Sequence, residues 1–183
     1  MKKLVLVFGV GILLLGIPAT LFAQDVDWEG NFEKGDFSVF AGIGFGGYGF
    51  SIVPGVEYTF AEWKAGDVVP LSFGITGKGS INIYSDYWTA YGGGALVTVH
   101  LGFRGLDIPE FLQRFDVYAS AGLAASFFKY TGVLSGWDQK DSYFGFATAD
   151  GVAYLVSDKF ALYAEGNYWA YGGGATLGVL FKF

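Results

Sequence analysis

Three short features of the sequence carry residue types that do chemistry. "GIGFGG" from Gly42 has the glycine spacing of a dinucleotide-binding turn, "YGGGA" occurs from Tyr91 and again from Tyr171, and His100 is the single histidine. A dinucleotide fingerprint must open a helix directly after its strand, because the helix N-terminus holds the pyrophosphate. "YGFSIVPG" follows instead, which opens no helix. The two triple glycines lack the Lys-Ser/Thr pair that makes a phosphate loop. A lone histidine forms no multidentate metal site, and a catalytic one needs serine and acid partners within hydrogen-bond reach. The residues therefore assign no catalytic, cofactor-binding or metal site. What remains is a set of ionisable residues, Glu57, Lys78, His100, Glu165 and Lys182, whose common feature is the strand face they occupy.

That face follows from a period of two. In "YGGGATLGVLFKF", Tyr171, Gly173, Ala175, Leu177, Val179, Phe181 and Phe183 alternate with Gly172, Gly174, Thr176, Gly178, Leu180 and Lys182. Strand side chains alternate between faces, so this is a strand with one side against an apolar phase. The segment from Tyr91 repeats the pattern, with Val97, Val99, Leu101 and Phe103 opposite Thr98, His100 and Gly102. Segments starting near Phe37, Leu71, Val117 and Phe160 alternate too, their charged residues on the small-residue face. Two more, near 50–60 and 143–156, are interrupted by Pro54-Gly55 and Asp150-Gly151. A bulge at each interruption is expected to let the register slip, keeping Asp150 off the apolar face.

Composition says what the apolar phase is. The chain holds 30 Gly, 19 Phe, 12 Tyr and 5 Trp with only 15% charged residues, too aromatic and too poor in charge for an ordinary soluble domain. The reading is all-β: an eight-stranded antiparallel up-and-down transmembrane β-barrel of strands about 10 to 13 residues long, closed so that no unpaired edge meets lipid. A soluble barrel would need the Phe and Tyr rows inside, where eight strands leave too little room.

With the N-terminus periplasmic, the connections near 46–49, 79–90, 129–142 and 168–170 are external. Aromatic girdles are expected at both interfaces, from Trp88, Tyr91, Trp169 and Tyr171 outside and Trp63, Phe103, Phe181 and Phe183 inside. Glu57, Lys78, His100, Glu165 and Lys182 then face the lumen, where charges of both signs cross-link a filled interior. Phe40, Tyr118, Phe128 and Tyr163 point inward as well, while the inward glycines leave room for a narrow water path. "RGLDIPEFLQRF" from Arg104 is too long for a tight turn. Asp107 followed by Glu110 resembles a capping box, and Ile108, Phe111, Leu112 and Phe115 fall at helical spacing, which predicts one helical turn at the inner interface.

The N-terminus, with Lys2 and Lys3 before an apolar run from Leu4 to Ile17, reads as a secretory signal peptide over residues 1–23, cut after Ala23 or after Ala19. The absence of cysteine excludes disulfides, thiolate metal sites and a lipoprotein anchor. Without residues 1–23 the chain keeps 9 Lys and Arg against 17 acidic residues, which excludes nucleic acid as a partner. Residues 24–103 and 104–183 are halves of equal length. "DFSVFAG" from Asp36 matches "DVYASAG" from Asp116, "GVEY" matches "GVAY", and the YGGGA strands match each other. Four strands therefore repeat as four strands.

"GVAYLVSDKFALYAEGNYW" from Gly151 resembles the penultimate hairpin of OmpA-like and OmpX-like outer-membrane barrels. The terminal "TLGVLFKF", ending on Phe183, is similar to the C-terminal strand signature read by the barrel-assembly machinery of Gram-negative-type envelopes. The resemblance implies an outer-membrane location, lipid and that machinery as partners, and no cofactor. It implies no one activity, since such barrels serve as membrane anchors, adhesins, small-solute channels and lipid enzymes. A structural or surface-interaction role is the first expectation, a narrow channel for small solutes or ions the second. A lipid-modifying enzyme, resting on His100 alone, is the third.

Overall fold

The computed structural model describes residues 29–46, 49–65, 69–85, 88–131, 138–169 and 172–183. The expected signal peptide and Tyr171 lie outside the described residues. Eight strands form one wall: β1 (Phe37–Gly46), β2 (Gly49–Ala65), β3 (Val69–Ser85), β4 (Trp88–Gly102), β5 (Phe115–Thr131), β6 (Asp138–Ser157), β7 (Phe160–Trp169) and β8 (Gly172–Lys182). Each pairs antiparallel with the next and β8 pairs with β1, closing the barrel. Closure gives every strand two neighbours, the condition for a sheet whose polar backbone is surrounded by hydrocarbon.

The alternation read from the sequence becomes an outside and an inside. Partners followed once around the wall run Phe37, Tyr58, Ile75, Val97, Ala121, Thr148, Tyr168 and Gly173. Gly173 adjoins Gly174, the partner of Gly46, so one circuit climbs about ten residues along β1 and the strands tilt at roughly 35–45° to the axis. The outward residues are large and apolar, with Ile43, Ile52, Ile75 and Leu177 all more than half exposed. The inward ones are small, polar or ring-bearing, and they are crowded. A Cβ at Gly55 would lie 2.2 Å from the Phe40 ring, and one at Gly178 would lie 2.5 Å from the Tyr163 ring. Glycine at these two positions is what admits both rings to the lumen.

Three expectations are corrected. First, β2, β3 and β5 have 17 residues and β6 has 20, longer than the 10 to 13 expected. β3 and β4 absorb nearly all of the predicted connection at 79–90, and β5 and β6 take up both ends of that at 129–142. The polar residues there look like loop in the sequence, but an antiparallel ladder continues into water as readily as through lipid. Second, the irregularities lie elsewhere: register shifts fall at Phe60, Tyr84 and Val156. The register runs unbroken past Pro54-Gly55 against β1 and past Asp150-Gly151 against β5 and β7. Asp150 therefore stays on the outward face.

Third, the helical turn forms as α1 (Glu110–Gln113), but without the capping box. Pro109 is its N-cap and no side-chain bond caps it. Glu110 accepts a 2.7 Å bond from Arg114, and that bond, with the adjacent negative charge, holds the Arg114 guanidinium above its ordinary pKa. Gln113 ties the connection together by donating to the carbonyls of Leu106 at 2.9 Å and Ile108 at 3.1 Å. Phe111 is left exposed on the outer side of the turn.

Candidate functional site: the lumen

Strand parity brings Glu57 (β2), Lys78 (β3), His100 (β4) and Glu165 (β7) inside the wall, all buried. Asp116, the second residue of β5, joins them with no exposure at all. His100 bridges two carboxylates, with Nδ1 2.8 Å from Asp116 and Nε2 2.6 Å from Glu57. Carboxylates only accept, so an imidazole facing one from each nitrogen donates twice, which is the imidazolium form. A hydroxyl relay meets the other side of Glu57. Thr76 donates to Glu57 at 2.5 Å, Thr98 lies 2.5 Å from Thr76, and Ser120 lies 3.0 Å from Thr98. Each hydroxyl has one proton, so the direction of donation is Ser120 to Thr98 to Thr76 to Glu57.

A second group forms beside it. Lys78 pairs with Glu165, to which Tyr118 donates at 3.1 Å and Asn167 at 3.4 Å. Asn167 also donates to Thr176 at 2.9 Å. The Lys78 ammonium lies 5.3 Å from the centre of the Phe40 ring, whose face attracts it. Between the two groups is a cavity of about 30 Å³ lined by Glu57, Lys78, His100, Tyr118, Tyr163 and Glu165. That is room for about two waters, and the Tyr163 hydroxyl, unpartnered among the described residues, lines it.

The lumen is covered at both ends by residues that the sequence reading did not place there. At the mouth where β1 begins, the one expected to be periplasmic, the segment before β1 folds inward, burying Asn31 and Phe32 to 1% exposure each. Asn31 donates to the Phe115 carbonyl at 2.6 Å and accepts from Lys182 at 2.9 Å. Phe32 lies against His100 with ring centroids 4.4 Å apart, and the Lys182 ammonium is 5.6 Å from the Phe32 centroid. A Cβ at Gly102 would come within 2.3 Å of the Asn31 nitrogen, so glycine there lets the segment enter. Lys182 thus belongs to the mouth, paired with Asp36 at 3.0 Å, and not to the central group.

At the opposite end Trp169, expected in the external girdle, turns inward and packs on Leu96, Ala124 and Ala147. The reason is parity: β7 continues unbroken through Tyr163, Glu165 and Asn167, and Trp169 inherits their face. The other girdle residues take varied positions. Tyr91 faces outward and stacks on Phe127 at 5.7 Å. Trp63, Phe181 and Phe183 are exposed, while Phe103 packs with Leu101 and Leu106 under the wall. Trp88 opens β4, and its side chain lies outside the described residues. Asp116, Thr76, Thr98 and Ser120 were legible as lumenal by parity alone, whereas nothing periodic marks Asn31 or Phe32.

An outward apolar wall closed around a lumen of small, polar and charged residues defines a fold class: the small eight-stranded outer-membrane barrels of the OmpA/OmpX-like kind. No family model matches the chain, and no curated protein does. Among solved structures it is similar to the N-terminal β-barrel domain of Pseudomonas aeruginosa OprF, with a TM-score of 0.59 and 18% identity over 82% of this chain and 98% of that one. It is also similar to Ail, the attachment invasion locus protein of Yersinia pestis, in complex with the heparin analogue sucrose octasulfate; there the TM-score is 0.50 and the identity 16%, over 82% and 100%. At these identities the likeness is one of fold.

Proposed function

We propose that the chain is an integral outer-membrane protein with a structural or surface-interaction role and a lumen closed to solutes. The observation that supports this reading is the size of the space left inside. Two cavities between the described lumenal residues hold about 30 and 40 Å³, with Phe32 below them and Trp169 lining the upper one, while the larger hollow of about 400 Å³ opens at the mouth beside Phe32, Trp63 and Pro70. Insertion through the barrel-assembly machinery by way of the C-terminal strand ending at Phe183, after export on the N-terminal signal peptide, belongs to the same proposal.

The narrow-channel reading draws on the outer cavity, which Ser51, Ser80, Asn82, Asn167 and Thr176 make polar. The lipid-modifying reading finds little support, because both nitrogens of His100 are taken by carboxylates and Phe32 covers the ring. Vesicle swelling separates the first two. Vesicles carrying the refolded protein are expected to swell in a small sugar no faster than protein-free vesicles. Faster swelling that falls off with solute size would replace the closed barrel by the channel.

A further inference from the structure

Asp150 occupies a position on the wall that its chemistry does not suit. Its β6 neighbours Ala147, Ala149, Ala153 and Leu155 are buried in the lumen, and Phe146 is 77% exposed on the other face. A Cβ at Gly151 would lie 2.7 Å from the Tyr118 hydroxyl inside the lumen, so Asp150 points outward. On that face Val152 and Tyr154 lie toward the periplasm and Thr148, Phe146 and Phe144 toward the exterior, which puts the carboxyl group near the middle of the apolar band. It makes no hydrogen bond or ion pair with any described residue. A lipid-facing acid is destabilising most of all at mid-depth, and a group that remains there needs a partner.

The surroundings are unusually small for a lipid-facing wall. The partners of Asp150 are Ala119 on β5 and Gly166 on β7, and the flanking pairs bring Ala121 beside Thr148 and Ala164 beside Val152. We propose that this ledge is where a second copy of the chain docks, β6 against β6, with Asp150 at its centre. Copies inserted in the same direction relate by a two-fold axis along the membrane normal, which brings residues of equal depth together. A protonated carboxyl group suits that symmetry because it both donates and accepts, so Asp150 in its acid form satisfies its own counterpart. The Thr148 hydroxyl beside it supplies a further donor. The four small residues let the two walls approach until the carboxyl groups meet, as small residues do between membrane helices. A different protein would need a polar group held at the same depth, whereas a second copy brings one already.

Sedimentation equilibrium in density-matched micelles tests the proposal, with the heat-shifted gel band of each protein checked first. The native chain and Asp150→Asn, whose amide also donates and accepts, are expected to dimerise. Asp150→Leu is expected to keep the heat-shifted band and dissociate about tenfold or more readily. The chain has no cysteine, so Thr148→Cys should cross-link across the axis in vesicles and Ile52→Cys, outward on β2, should not. A native chain that stays monomeric, an Asp150→Leu chain that dimerises equally well, or equal cross-linking at both positions would overturn the dimer. Absence of the heat-shifted band from the native chain would instead count against the membrane reading on which the inference rests.

Discussion

Lys78→Met is expected to cost about 3 to 5 kcal/mol of folding stability, because it leaves the Glu165 carboxylate buried and without a cation. Lys78 and Glu165 have side chains 4% and 1% exposed, so bulk water does not reach the stranded charge. The remaining partners of Glu165, Tyr118 and Asn167, are neutral donors and do not balance its charge. The measurement is urea unfolding in vesicles followed by tryptophan fluorescence. The double variant Lys78→Met with Glu165→Gln is expected to recover most of the loss, since the amide oxygen still accepts from Tyr118 and no charge is stranded. If the single variant unfolds at the native midpoint, or the double is no better than the single, the pair does not hold the lumen together.

His100→Ala should have an effect of similar size for a different reason. It strands two carboxylates at once, Glu57 and Asp116, which now face each other across the space the imidazole filled. Asp116 is the more sensitive to this change: one of its oxygens has no hydrogen-bond partner among the described residues, and His100 supplies the bond to the other. Glu57 keeps the bond from Thr76. The expected loss is about 3 to 5 kcal/mol, with Phe32 also losing the ring it packs on. Asp116→Leu in the His100→Ala background should regain part of this, because it removes the carboxylate left without a donor. A His100→Ala chain with unchanged stability would mean that the bridge carries no charge.

The wall was legible because a lipid boundary enforces strict alternation, and alternation survives in the sequence wherever a strand runs through it. The lumen's ionisable residues were legible on the same ground, Lys182 included, although parity could not say that it closes the mouth with Asp36. Trp169 shows where that reasoning fails. An aromatic next to a turn looks like a girdle residue, yet the face it takes is decided by an unbroken count from Tyr163. Asn31 and Phe32 were invisible for another reason: they precede the first strand, and Asn31 reaches a carbonyl 84 positions away, a contact no local pattern encodes. Asp150 was misplaced because its charge was assumed to require a bulge. Flat pairing with Ala119 and Gly166 leaves the charge outside instead.

In the proposed closed barrel, Phe32, the two ion-paired groups and Trp169 fill the lumen from end to end. Planar-bilayer recording of the refolded native chain tests it most directly. The filled lumen predicts a flat baseline with no unitary steps. Stable unitary currents from the native chain would contradict it.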